Sequence, residues 1–218
     1  MKRILLLGAT GRTGRQVLDY ALERGHEVVA LVRDKHKIDP SNKLTVIQGL
    51  STDINDVRRA MRGCDAVINT LGALHASDIL SLRKIDPPHT LEISMRNIVE
   101  CMNELGIKRV ISQSTFGAGD SYQYTPWVLK MVAKHTKFSI VVRDHNMQED
   151  LLMDSKLDWT IVRPVGLNDH KELKTLEVTY DAPPPTRSIS RRQVAKFMVD
   201  ALETNFFINK APTLSEKD

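Results

Sequence analysis

At 218 residues, with 41% hydrophobic and 27% charged side chains, the chain is long enough to bury the core of one large domain. Its net charge of +4 is spread over interleaved Lys, Arg, Asp and Glu, which argues against the basic stripe of a nucleic-acid binder. Two cysteines without Cys/His spacing exclude a disulfide scaffold and a zinc site, and no apolar run reaches membrane-spanning or signal-peptide length. The expectation is a cytoplasmic protein, a monomer or small homo-oligomer, with no nucleic-acid or membrane partner.

Ile4 to Leu7 reads as a short buried strand, and a helix follows with Val17, Leu18, Ala21 and Leu22 on one face. Between them stands Gly8-Ala9-Thr10-Gly11-Arg12-Thr13-Gly14. A glycine turn between strand and helix lets backbone approach a pyrophosphate, whose charge meets the free N–H groups at the helix start. Gly8, Thr10, Gly11, Arg12, Thr13 and Gly14 are therefore the candidate phosphate-binding residues.

Further along, Glu27–Val32 and Leu44–Gln48 read as strands, and a helix from about Asp53 to Arg62 is stopped by Gly63. Asp65–Asn69 is a fourth strand, Pro88 to Leu105 a long helix capped by Gly106, and Arg109–Ser112 a fifth strand. A polar loop from Phe116 to Thr125 precedes a helix from about Asp144 to Ser155 and a sixth strand, Trp159–Val162. Leu176–Tyr180 looks like a strand, Ala182–Pro185 a stiff turn, Arg187–Ser190 a short extended piece, and a last helix carries Val194, Phe197, Met198 and Leu202. Alternating strands and helices predict an α/β fold: a single Rossmann-type, doubly wound parallel sheet with flanking helices and a small C-terminal extension. The dinucleotide-binding domain is expected over residues 1–205, with 206–218 as a mobile polar tail.

The end of the second strand selects the nucleotide. An acid there binds the ribose 2′-OH of NAD, whereas an arginine accommodates the 2′-phosphate of NADP. Arg33 occupies that place, with Arg12 as a second cation, so NADP(H) is favoured over NAD(H); Asp34, next in sequence, is the competing 2′-OH acceptor. Ligands of such sheets lie at the C-terminal strand ends. These ends carry Leu71-Gly72-Ala73, Gln113-Ser114-Thr115 and Arg163-Pro164-Val165. Gly72 permits close approach to the nicotinamide ribose, and Ser114 offers a hydroxyl to nicotinamide or substrate, or merely caps the next segment.

The glycine turn, Leu31-Val32-Arg33-Asp34, Asp65-Ala66-Val67-Ile68, Arg96-Asn97-Ile98-Val99 and Leu157-Asp158-Trp159-Thr160-Ile161-Val162-Arg163-Pro164 together resemble the atypical short-chain dehydrogenases/reductases. The branch is similar to NmrA-like proteins and the biliverdin-IXβ/flavin reductases, over Met1 to about Leu202. The resemblance implies one NADPH-binding domain and hydride transfer to flavins, bilins or quinones. Pro164 and Val165, at the end of the sixth strand, are candidate cofactor contacts, and the resemblance makes His145, at a position where such reductases carry histidine, a catalytic candidate beside Ser114. Three departures matter. Neither Tyr122 nor Tyr124 has a lysine four places on, which argues against alcohol/ketone chemistry. Gly49 is followed by Leu50 where the family has an adenine-touching Asp, leaving Ser51 for that contact. Val165 stands where the bilin reductase has histidine, which argues against a bilin. The expected activity is NAD(P)H-dependent reduction of a small conjugated acceptor such as flavin or quinone, with Phe116, Tyr122, Tyr124 and Trp127 placed to stack on it. The alternative is a non-catalytic, NmrA-like NADP(H) sensor.

Overall fold

The computed structural model describes residues 1–72, 89–134 and 138–217. β1 (Arg3–Leu7), β2 (Glu27–Val32), β3 (Leu44–Gln48), β4 (Ala66–Asn69), β5 (Arg109–Gln113) and β6 (Asp158–Pro164) pair in parallel in the order β3-β2-β1-β4-β5-β6. Because strand side chains alternate, Ile4, Leu6, Val28 and Ala30 face one core, while Leu5, Leu7, Val29 and Leu31 face the other. The first core is covered by α1 (Arg12–Glu23) and α6 (Arg191–Glu203). The second lies under α2 (Ile54–Met61), α3 (Thr90–Leu105) and α5 (Phe138–Met153). Local signals hold where a cap demands them. Asp53 Oδ1 accepts from Asn55 N–H (2.8 Å) at the start of α2, and Gly106 (φ +71°) closes α3.

The chain end departs from expectation. The expected mobile tail over 206–218 is not what residues 206–217 form: β10 (Thr213–Lys217) lies inside the sheet, parallel to β6 and antiparallel to β8 (Thr175–Thr179). Leu214 reaches the first core, and Thr213, Ser215 and Glu216 are buried with it. The polar composition misleads here because burial comes from two neighbouring strands, not from the segment's own hydrophobicity. A separate parallel pair joins β7 (Gly166–Asn168) to β9 (Ser188–Ser190).

Two helical features also differ from the sequence expectation. α4 (Trp127–Lys134) follows the polar loop, and α5 begins at Phe138 rather than Asp144. Ile140, Val141 and Val142 are β-branched and favour strand locally, a preference that tertiary packing overrides. The predicted helix start at Pro88 and the strand-end residue Ala73 lie outside the described residues. Among the described residues no helix is long and apolar enough to cross a membrane.

Candidate active site

The three glycines of the first turn do different work. Gly8 has φ +83°, and a Cβ there would lie 2.6 Å from Thr70 Oγ1. A Cβ on Gly14 would come 2.0 Å from Gly8 O, so both glycines are required by packing of the chain against itself. Gly11 is different. Its backbone (φ −76°, ψ 164°) suits any residue, and a Cβ there would meet only Gly8 O, at 3.1 Å. The space left by its missing side chain is on the open side of the loop.

That open side is also the start of α1. Gly11 N–H donates to Gly8 O (2.8 Å) and Arg15 N–H to Gly11 O (2.9 Å), while Arg12, Thr13 and Gly14 begin the helix without intrahelical acceptors. No side chain caps this end and its first turn holds no acid. Free N–H groups, the positive end of the helix dipole and a missing Cβ together fit a pyrophosphate. Thr10 is half-buried and Thr13 buried against this turn.

At the nucleotide end, Arg33 is exposed and has no hydrogen-bond or ion-pair partner among the described residues. Asp34 is engaged, its Oδ1 accepting from His36 N–H at 3.0 Å. Ser51 is held by α3: its Oγ accepts from Ser94 Oγ–H (2.8 Å) and its carbonyl from Asn97 Nδ2 (3.0 Å). Arg12 reaches the residue just past β7, its Nη1 lying 3.3 Å from Asp169 Oδ2.

At the other end, Leu71 N–H donates to Asn69 Oδ1 (3.2 Å), and Gly72 is exposed with no atom near its absent Cβ. A polar chain that sequence reasoning missed crosses from β4 to α5. Asn69 Nδ2 donates to Ser112 Oγ (3.1 Å), and Gln148 Nε2 donates to Ser112 Oγ (2.9 Å) and to the Gln113 carbonyl (3.0 Å). This contact sets the register of helix on strand. Ser114, two residues beyond Ser112, faces the same side, and α5 runs back against β5, so His145 lies one turn nearer the strand end than Gln148. The register thus places Ser114 and His145 towards the same end of the interface between β5 and α5. Both are buried, and among the described residues Ser114 Oγ and His145 Nδ1 have no hydrogen-bond partner. The missed chain had one sequence signal, the three-residue offset of Gln148 from His145 along one helix face.

Pro164 and Val165 are less available. Pro164 O accepts from Phe116 N–H (3.0 Å), Val165 N–H donates to Leu214 O (3.1 Å), and the Val165 side chain is in the first core. The aromatic residues do not form one stack: Phe116 packs on the core, Tyr122 lies under Lys130 Nζ at 4.6 Å, and Trp127 projects into solvent from α4.

Burial pushes the His145 imidazole down to about 4 from an ordinary 6.5, so it is neutral at physiological pH. The stability consequence has a definite sign. Above pH 6.5 the imidazole is neutral folded or unfolded; below it the unfolded chain takes up a proton that the folded protein refuses until about pH 4. Acidification across that window is expected to cost wild type roughly 3 kcal/mol more than His145→Asn. Urea unfolding of both proteins at pH 7 and near pH 4 checks this; equal losses would mean that His145 titrates normally.

Residues 8–205 match the family described as NAD(P)H-binding. The photosystem II assembly factor Ycf39 of Synechocystis sp. is 28% identical over 95% of this chain, which spans 60% of that relative's length. Among solved structures, ChuY, an anaerobillin reductase from Escherichia coli O157:H7, has a TM-score of 0.80 at 23% identity, covering 99% of this chain and 98% of that one. A short-chain dehydrogenase/reductase from Veillonella parvula in complex with NADP has a TM-score of 0.81 at 21% identity, covering 99% and 94%. Likenesses at these identities establish the fold.

Proposed function

Because this chain belongs to the NAD(P)H-binding family, we propose that it is an NADPH-dependent reductase, of the atypical short-chain dehydrogenase/reductase kind, acting on a flat, conjugated acceptor such as a flavin or quinone. The observation that carries this reading is the burial of Ser114 and His145 near the strand ends, which leaves the serine hydroxyl unpaired and keeps the imidazole uncharged. When bound, the reduced nicotinamide supplies a hydride. Such a transfer needs two rings held at contact distance in a dry cleft more than it needs an acid. Ser114 Oγ, without a partner, is free to orient a carboxamide or ring carbonyl. His145 keeps charge out of the cleft, and the acceptor's remaining proton comes from water. The phosphates would be held by the N–H groups of Arg12 to Gly14, with Gly11 giving them room and Gly72 admitting the ribose.

The unpaired Arg33, beside an Asp34 already engaged by His36 N–H, supports NADPH over NADH. Purified protein mixed with NADPH and a panel of flavins and quinones should consume the nicotinamide absorbance. In Arg33→Ala the preference for NADPH over NADH should fall by about ten- to hundredfold, the worth of one charge-assisted hydrogen bond. Tight NADPH binding without turnover on any acceptor would overturn the reductase reading in favour of a sensor.

A further inference from the structure

α1 and α6 lie side by side and run the same way. At their far ends Glu203 of α6 receives Arg24 Nε (3.2 Å) and lies 3.0 Å from His26 Nε2, just past α1. At their starts one carboxylate bridges the first residue of each helix. Asp169 Oδ1 is 2.7 Å from Arg191 Nη1, and its Oδ2 is 3.3 Å from Arg12 Nη1. Arg191 and Arg192 stand at the helix end where a cation opposes the dipole, and neither first turn has an acid of its own. Asp169 follows β7, whose last residue Asn168 pairs with Ser190, so the sheet register brings it opposite Arg191.

The geometry points to Asp169 as a residue that sets the strength of dinucleotide binding: it holds the Arg12 guanidinium and so competes with the diphosphate for it. The two halves of the bridge are unequal. Arg191 is nine-tenths buried and close, whereas Arg12 and Asp169 are 57% and 63% exposed and only loosely engaged. An exposed pair of this kind is worth at most about 1 kcal/mol, which a diphosphate held at the start of α1 would displace. When Arg12 turns to the phosphates, Asp169 keeps Arg191 and no charge is stranded. The diphosphate is common to both nucleotides, so Asp169 lowers affinity for NADPH and NADH alike, unlike Arg33, which discriminates between them.

This inference rests on the glycine-turn cradle proposed above, and its test is a binding measurement that needs no turnover. Nicotinamide fluorescence titrations at low salt should show Asp169→Asn and Asp169→Ser binding both NADPH and NADH about two- to fivefold more tightly. The gain should shrink in about 0.5 M salt, and Asp169→Glu should bind as wild type does. In an Arg12→Ala background Asp169→Asn should give no gain. Unchanged or weaker binding by both neutral variants, with native circular dichroism, would overturn the role. So would a gain that survives without Arg12, because Asp169 would then act by its field and not by holding that side chain. Failure of the cradle itself reads differently, as binding that survives Gly11→Val.

Discussion

Gly11→Val should lose dinucleotide binding by more than about a hundredfold while the protein stays folded. The backbone at Gly11 is already extended (φ −76°, ψ 164°), a region that β-branched residues favour, so valine brings no backbone strain. Its Cβ would meet only Gly8 O at 3.1 Å, which a small shift relieves. The two methyl groups then occupy the space in front of the Arg12–Gly14 N–H groups. Blocking two charge-assisted hydrogen bonds, each worth about 1.5–3 kcal/mol, accounts for the magnitude. Gly8 and Gly14 are poor choices for the same test, because a Cβ at either collides with the chain's own backbone. Fluorescence titration with NADPH, paired with a thermal melt, checks the result. A folded variant with unchanged affinity would show that the turn serves the fold alone.

The glycine turn was legible because apolar spacing changes from strand to helix across it, and because Gly8 and Gly14 sit where the chain's own backbone leaves no room for a side chain. The parallel sheet was legible for a related reason, since strands buried on both faces leave unbroken apolar runs such as Val28–Val32. β10 left no such run. Its residues are buried by β6 and β8, which lie far off in sequence, and Thr213, Ser215 and Glu216 read as solvent-facing. The site divides the same way. Ser114 and His145 were each identifiable, one from a strand end and one from family likeness, but their placement at one end of the same interface follows only from the Ser112–Gln148 contact, 36 positions apart. The Arg12–Asp169 pair spans 157 positions and carries no local signal at all. Arg12 was expected to assist Arg33, and only the packing of α6 beside α1 shows what else competes for it.

Glu149→Ala should be the most destabilising single change away from the nucleotide. Arg163 projects from β6 into the interior with 2% of its side chain exposed. Burial works against its charge, yet hydrogen bonds and charges from Glu149 and Asp120 raise its pKa above the ordinary arginine value. Glu149, itself 1% exposed, makes the firmer contact, a fork of 3.0 Å to Nε and 2.6 Å to Nη2. Gly119 closes over this fork: a Cβ there would lie 2.4 Å from both Arg163 Nη2 and Glu149 Oε2. Its N–H meets Asn146 Oδ1 at 2.8 Å, so the pair also seats the Gly119–Tyr124 turn on α5. Removing Glu149 leaves a buried guanidinium with only the exposed Asp120, at a cost of about 3–5 kcal/mol. For a chain of this size that is a fall of roughly 10 °C in melting temperature. The paired change Glu149→Met with Arg163→Met should recover most of the loss, because replacing a buried ion pair by apolar side chains of similar volume is often neutral. A double variant as unstable as the single one would mean that the fork contributes geometry that apolar packing cannot replace. A single variant within about 1 kcal/mol of wild type would mean that Asp120 and water suffice for Arg163. NADPH affinity should hold in both variants, since Arg33 and the glycine turn belong to β1 and β2, across β4 and β5 from this pair.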